Sequence, residues 1–166
     1  MSKYYLAYGS NLSISNMGFR CPNAEMVGTG MLEGWQLVFN SYATIHENKE
    51  FNTPVVIWEI SEQDEKSLDI YEGFPTVYYK RDFNLPVKDL YGQDLGNLTV
   101  MAYIMTSEAE CEHSKIPIPS DLYYSIIDMG YQAFEFDRSI LKIARKEAST
   151  RWCEILNQLD KKLRYN

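Results

Sequence analysis

The chain is short of the residues that several common chemistries require. Its three cysteines, Cys21, Cys111 and Cys153, are odd in number and widely separated, so no disulfide framework is expected. It has only two histidines, His46 and His113. Neither stands at ligand spacing from a cysteine or carboxylate, and no metal site is expected. Cys111-Glu112-His113 is adjacency in sequence, which is not catalytic geometry, and Cys111 and His113 read as loop residues. A phosphate-binding Gly-Lys-Ser/Thr pattern is missing, which removes the most recognisable nucleotide loop. Positive charge is scarce too: 16 Lys and Arg stand against 23 Asp and Glu, a net charge of -7. A nucleic-acid partner wants a basic face, so none is expected. No apolar run approaches membrane-spanning length and no secretory pattern follows Lys3, so the expectation is no membrane association and a cytoplasmic location. No repeat, low-complexity tract or linker divides the 166 residues, and one domain over 1–166 is expected.

Tyrosine, by contrast, is abundant, with 13 copies. Its apolar body and polar tip suit the wall of a partly dry pocket. Tyr4-Tyr5-Leu6-Ala7 reads as a short buried strand that ends in the loop Tyr8-Gly9-Ser10-Asn11-Leu12. Glycine leaves room for a ligand to approach the main chain, and Ser and Asn bond locally to the backbone. Such a loop offers peptide N–H groups to a carboxylate or carbonyl oxygen. Read alone, it is more simply a plain strand-ending turn.

Downstream, Ser13 caps a helical turn and Arg20-Cys21-Pro22-Asn23 forms a turn. Glu25 to Asn40 alternates, with Gly28, Gly30 and Gly34 bending or bulging the strands. Tyr42 to Ile45 is a further strand, polar His46 to Thr53 a loop, and apolar Val55 to Trp58 an interior strand. Ser61 caps a helix with Asp64 at the capping-box position, and Gly73 and Pro75 stop it after Tyr71 or Glu72. Val77 to Val87 and Leu98 to Met105 pair as a hairpin around Tyr91-Gly92-Gln93-Asp94. A second capped helix starts near Ser120, and Asp137 caps a last helix over about 137–163. With strands first and helices late, the fold class is α+β with a curled sheet.

Glu72 is the residue on which the chemistry turns. It lies four positions after Leu68, hence on the same helix face, at the C-terminal end where the macrodipole disfavours negative charge. Burial and dipole both raise a carboxyl pKa, as a general base working near neutral pH requires. The alternative is a solvated glutamate in an acidic segment with Glu62, Asp64, Glu65 and Asp69.

Lys3 to Leu12, then Arg20-Cys21-Pro22-Asn23-Ala24, then Leu68-Asp69-Ile70-Tyr71-Glu72-Gly73 resemble the ordered signature of the gamma-glutamylcyclotransferase family. That pattern has a Tyr-Gly-Ser-Asn loop, a Leu-Asp-x-x-Glu-Gly step and a tyrosine seven residues after the Glu, here Tyr79. Ala102 to Met105 and Tyr123 to Gly130 are similar to the family as well, so the likeness runs from about Lys3 to Tyr131. It implies a small mixed β-barrel with flanking helices and a central cavity. The activity it implies is closure of a γ-glutamyl group to 5-oxoproline, with Glu72 catalytic and no cofactor or metal. Tyr8, Gly9, Ser10, Asn11, Leu12, Tyr79, Tyr103 and Tyr123 would bind the substrate, with Tyr124 the alternative to Tyr123. The partner implied is a small γ-glutamyl compound. The competing reading is a non-catalytic γ-glutamyl-binding or interaction module on the same fold. The last helix falls outside the likeness; its Lys142, Arg145, Lys146 and Arg151 read as a solvated face, with a homodimer contact as the alternative.

Overall fold

A computed structural model describes residues 3–164. Its centre is a closed barrel of β1 (Lys3–Ala7), β2 (Glu25–Asn40), β3 (Tyr42–Ile60), β4 (Tyr78–Lys88) and β5 (Asp94–Met105), in the order β1-β3-β2-β4-β5. The pairing of β1 with β5 is parallel, at Tyr5 and Met101, and the others are antiparallel. The expected α+β barrel of mixed sense is therefore what forms. Val100 to Met105 and Thr53 to Ile57 are buried at successive positions, because one strand face fills the barrel and the other is covered from outside.

Two expectations are corrected. His46 to Thr53 is not a separate loop but lies within β3, with Gln36↔His46 and Trp35↔Glu47 paired at one end and Glu33↔Asn52 and Leu32↔Thr53 at the other. Asn48 to Phe51 stand opposite Gly34 as a bulge without register partners among the described residues, and the ladder resumes on either side of them. Cys111 and His113 are likewise helical, on α3 (Ser107–His113), which Thr106 caps by accepting from the Ala109 N–H.

The remaining helices are α1 (Ile14–Arg20), α2 (Glu62–Glu72), α4 (Asp121–Ala133) and α5 (Arg138–Arg164). Ser13 accepts from the Asn16 N–H, capping α1. The capping box of Ser61 and Asp64 on α2 is made in both directions. Helix α5 buries Leu141, Ala144 and Ala148, a 3-and-4 spacing that lays one face against the barrel. Beyond that the apolar stripe loses its cover, and Leu156, Leu159 and Leu163 are exposed. No helix among the described residues is long and apolar enough to cross a membrane.

Candidate active site

A cavity of about 390 Å³ opens at one end of the barrel, between the loop after β1 and the C-terminal end of α2. Two backbone devices aim its parts. Ser10 to Leu12 form a single 3-10 turn closed by the Leu12 N–H to the Gly9 carbonyl at 3.0 Å. Gly73 ends α2 in the left-handed region at φ 65, while the Phe74 N–H closes on the Asp69 carbonyl at 2.9 Å. A β-carbon at Gly73 would sit 2.9 Å from Val77 Cγ2, so any other residue is opposed by both dihedral and space.

Glu72 lines the cavity and is half-buried, one turn after fully buried Leu68. Asn11 Nδ2 donates to Glu72 Oε1 at 3.2 Å and to the Tyr5 hydroxyl at 2.9 Å, while Asn11 Oδ1 accepts from Arg20 Nη1. Acid and loop are thus in direct contact. Among the described residues no group donates to Glu72 Oε2, which leaves that oxygen to a ligand. Burial pushes the Glu72 carboxyl up to about 7; the nearby Arg20 guanidinium and the Asn11 hydrogen bond pull it back part of the way. Arg20 also bonds Ser10 Oγ at 3.2 Å and lies 3.5 Å over the Tyr71 ring.

The tyrosine hydroxyls divide into spent and free. Tyr8 donates to the Tyr103 carbonyl at 2.5 Å, Tyr78 to the Ala43 carbonyl at 2.8 Å, and Tyr103 to Asp69 Oδ1 at 2.5 Å. Tyr5 and Tyr123 act instead as acceptors, from Asn11 and from the Ala43 N–H at 3.1 Å. Among the described residues their own protons meet no acceptor, and both side chains line the cavity. Burial and the neighbouring Glu72 hold the Tyr5 and Tyr8 phenols well above their usual range, so they stay neutral. The peptide N–H groups of Gly9, Ser10 and Asn11 likewise find no acceptor among the described residues.

Of the residues singled out from sequence, Tyr8, Gly9, Ser10, Asn11, Glu72, Tyr103 and Tyr123 are gathered around this cavity. Two are not. Leu12 is core: its Cβ would stand 2.6 Å from a β-carbon on Gly130 of α4, and its side chain is 1% exposed. Tyr79 points away from the cavity into a surface groove beside His46 and Arg81, since side chains alternate along β4 and Tyr78 takes the inward position. Tyr124 is turned outward as well, with Arg145 4.3 Å over its ring. Arg20, Tyr71, Tyr78 and His113 come to the site without having been singled out. For Arg20 the signal was present in the quoted Arg20-Cys21-Pro22-Asn23 step, but nothing local shows that α1 turns its last residue back onto the loop.

Asp69 does not reach the cavity; it receives Tyr103 and pairs with Lys80 at 2.6 Å, and Lys80 in turn pairs with Glu65 at 2.7 Å. Removing the Tyr103 hydroxyl (Tyr103→Phe) is expected to cost about 1–2 kcal/mol in urea unfolding, because the acceptor is charged. Tyr79→Phe, whose ring is 38% exposed, is expected to stay within about 0.5 kcal/mol.

Residues 5–124 match the model of the family described as gamma-glutamyl cyclotransferase, AIG2-like. The chain is 27% identical over 139 residues to a gamma-glutamylcyclotransferase of Bos taurus, covering 76% of this chain and 68% of that one. Among solved structures it is similar to one titled gamma-glutamyl cyclotransferase, with a TM-score of 0.66, 23% identity and 87% of each chain covered. YkqA from Bacillus subtilis is similar at a TM-score of 0.63 and 16% identity, over 89% of this chain and 54% of that one. At those identities the two solved structures share the fold.

Proposed function

The chain belongs to the gamma-glutamyl cyclotransferase, AIG2-like family, and from that premise we propose that it closes a γ-glutamyl group on itself to give 5-oxoproline and a free amine. The observation that carries this reading is the half-buried Glu72 carboxyl, raised to about 7 and touching Asn11 of the donor loop with one oxygen still open. In the proposed reaction the substrate's α-ammonium gives a proton to Glu72. The freed amine attacks the γ-carbonyl carbon, and the tetrahedral oxygen takes hydrogen bonds from fixed donors. Collapse breaks the bond to the leaving amine, which receives the first proton back from Glu72. The ring nitrogen, left with two hydrogens, gives its second to Glu72, which passes it to the amine so that it departs as an ammonium. Protons and atoms balance with no co-substrate. The loop N–H groups are the donors for that oxygen or for the substrate's own carboxylate, and Tyr5 and Tyr123 supply two further hydroxyl protons. Folding the glutamyl chain so that amine meets carbonyl is left to the shape of the pocket.

The test is direct. Purified protein incubated with a panel of γ-glutamyl amines, amino acids and isopeptides is expected to release 5-oxoproline and amine in equal amounts from at least one. Tight binding across the panel with no release assigns the chain to the non-catalytic alternative. The pH profile adds a second check. The base must be ionised, so kcat/KM is expected to rise with pH and level off above about 7. Arg20 holds that value down, so Arg20→Gln is expected to move the limb to higher pH. A limb that stays put in Arg20→Gln assigns the titration to another group.

A further inference from the structure

We propose that the best substrates of this site are γ-glutamyl compounds whose leaving amine is apolar or aromatic and bears no carboxylate. The inference rests on the ring-closing reading and concerns the other half of the substrate. The cavity is graded with depth. Its floor is polar and buried, with Tyr5 4% and Asn11 3% exposed beside Glu72. Its mouth is apolar and aromatic: Ile70 is 84% exposed, Tyr42 49% and Tyr71 46%. The His113 ring meets Tyr42 edge-on with centroids 5.4 Å apart. This rim is anchored, since the turn before Tyr42 is held by the Ser41 N–H donating to the Pro117 carbonyl at 3.1 Å.

A γ-glutamyl amino acid or peptide brings two carboxylates, one on the glutamyl head and one on the leaving half. The unpaired N–H groups of Gly9 to Asn11 suit one anion at the floor. Nothing comparable serves the second. Among the described residues that line the cavity there is no Lys or Arg, and the basic side chain present, His113, is set edge-on against Tyr42 as part of the aromatic rim. Arg20, the nearby cation, is occupied by Ser10, Asn11 and the Tyr71 ring. A carboxylate at the mouth would lose water against aromatic surface, within the field of Glu72, on a chain of net charge -7. An uncharged flat or aliphatic group there gains contact with Tyr42, Tyr71 and Ile70 instead.

Matched pairs that differ by one carboxylate test this. They are γ-glutamyl-phenethylamide against γ-glutamyl-phenylalanine, and γ-glutamyl-ethylamide against γ-glutamyl-alanine, followed by 5-oxoproline release. Within each pair kcat/KM is expected to be at least tenfold higher for the amide without the acid. Ile70→Arg, a change at an exposed position, is expected to narrow the gap by raising the acid members. Equal rates within the pairs, or faster acids, overturn the inference and leave ring closure standing. A gap that Ile70→Arg does not move overturns the mouth as its source. No 5-oxoproline from any of the four compounds overturns this inference, and the ring-closing reading falls with it only if the wider panel is silent too.

Discussion

Glu72→Gln is expected to lower kcat for 5-oxoproline release by about 10²–10⁴-fold, with KM little changed and the fold intact. The amide keeps the shape of the carboxyl and can still accept from Asn11 Nδ2, so the hydrogen bond at 3.2 Å has a continuing partner. What it loses is the ability to take the ammonium proton and return it to the leaving amine. The same substitution carries a stability signature with a fixed sign. The carboxyl sits at about 7 in the folded chain against an ordinary 4.5, so the native state binds the proton more tightly than the unfolded one. That contribution to stability is fully present below about 4.5 and is lost as pH rises through about 7. Glutamine is never charged and escapes the loss. Thermal or urea unfolding above pH 7 is therefore expected to find Glu72→Gln more stable than the parent by about 1–3 kcal/mol, and the advantage to shrink towards pH 5. Loss of turnover together with gain of stability is the pattern of a strained, functional acid. A variant with full activity refutes the base assignment. One that is less stable at high pH shows that the carboxylate is better accommodated than its surroundings suggest.

The largest stability effect is expected at the seam between β2 and β4. Strands β2 and β4 meet through the pairs Thr29↔Lys88 and Gly30↔Val87. At the neighbouring Gly28 a β-carbon would fall 2.0 Å from the Lys88 carbonyl oxygen, 2.8 Å from its carbon and 3.0 Å from Asp89 Cα. All three are backbone atoms, and no rotamer change relieves them. Gly28→Ala is expected to force the seam apart and to cost about 2–4 kcal/mol, or roughly 5–15 °C in Tm for a chain of this size. Gly18 provides the comparison. It lies inside α1 with nothing within 4 Å of its β-carbon position, so Gly18→Ala is expected to be neutral or stabilising by up to about 1 kcal/mol. If the two alanines behave alike in calorimetry, the close approach at Gly28 is not what holds the seam.

How legible this protein is from its residues differs from part to part. The helix bearing Glu72 could be read from both ends, because capping by Ser61 and Asp64 and termination at Gly73 are chemical facts about neighbours in sequence. The donor loop could be read for the same reason. The middle of β3 could not, since His46 to Thr53 is polar and only the β2 ladder on either side of the Asn48 to Phe51 bulge draws it into the strand. Among the tyrosines, a likeness by spacing pointed to Tyr79 where the pleat presents Tyr78. Which of Tyr123 and Tyr124 faces inward depends on how α4 packs against the loop, a relation that local spacing does not encode.

Residue chemistry and short spacings were enough to indicate an α+β chain, a glycine-containing donor loop and a lone acid at a helix end. These depend on interactions within one or two turns of chain, which sequence order itself encodes. Packing alone put Asn11 between Tyr5, Arg20 and Glu72, left the Tyr5 and Tyr123 hydroxyl protons unspent, and gave the mouth an aromatic rim with no Lys or Arg among its described residues. Those relations join residues up to about a hundred positions apart, and their energies vary with distance and burial, quantities that exist only once the barrel has closed.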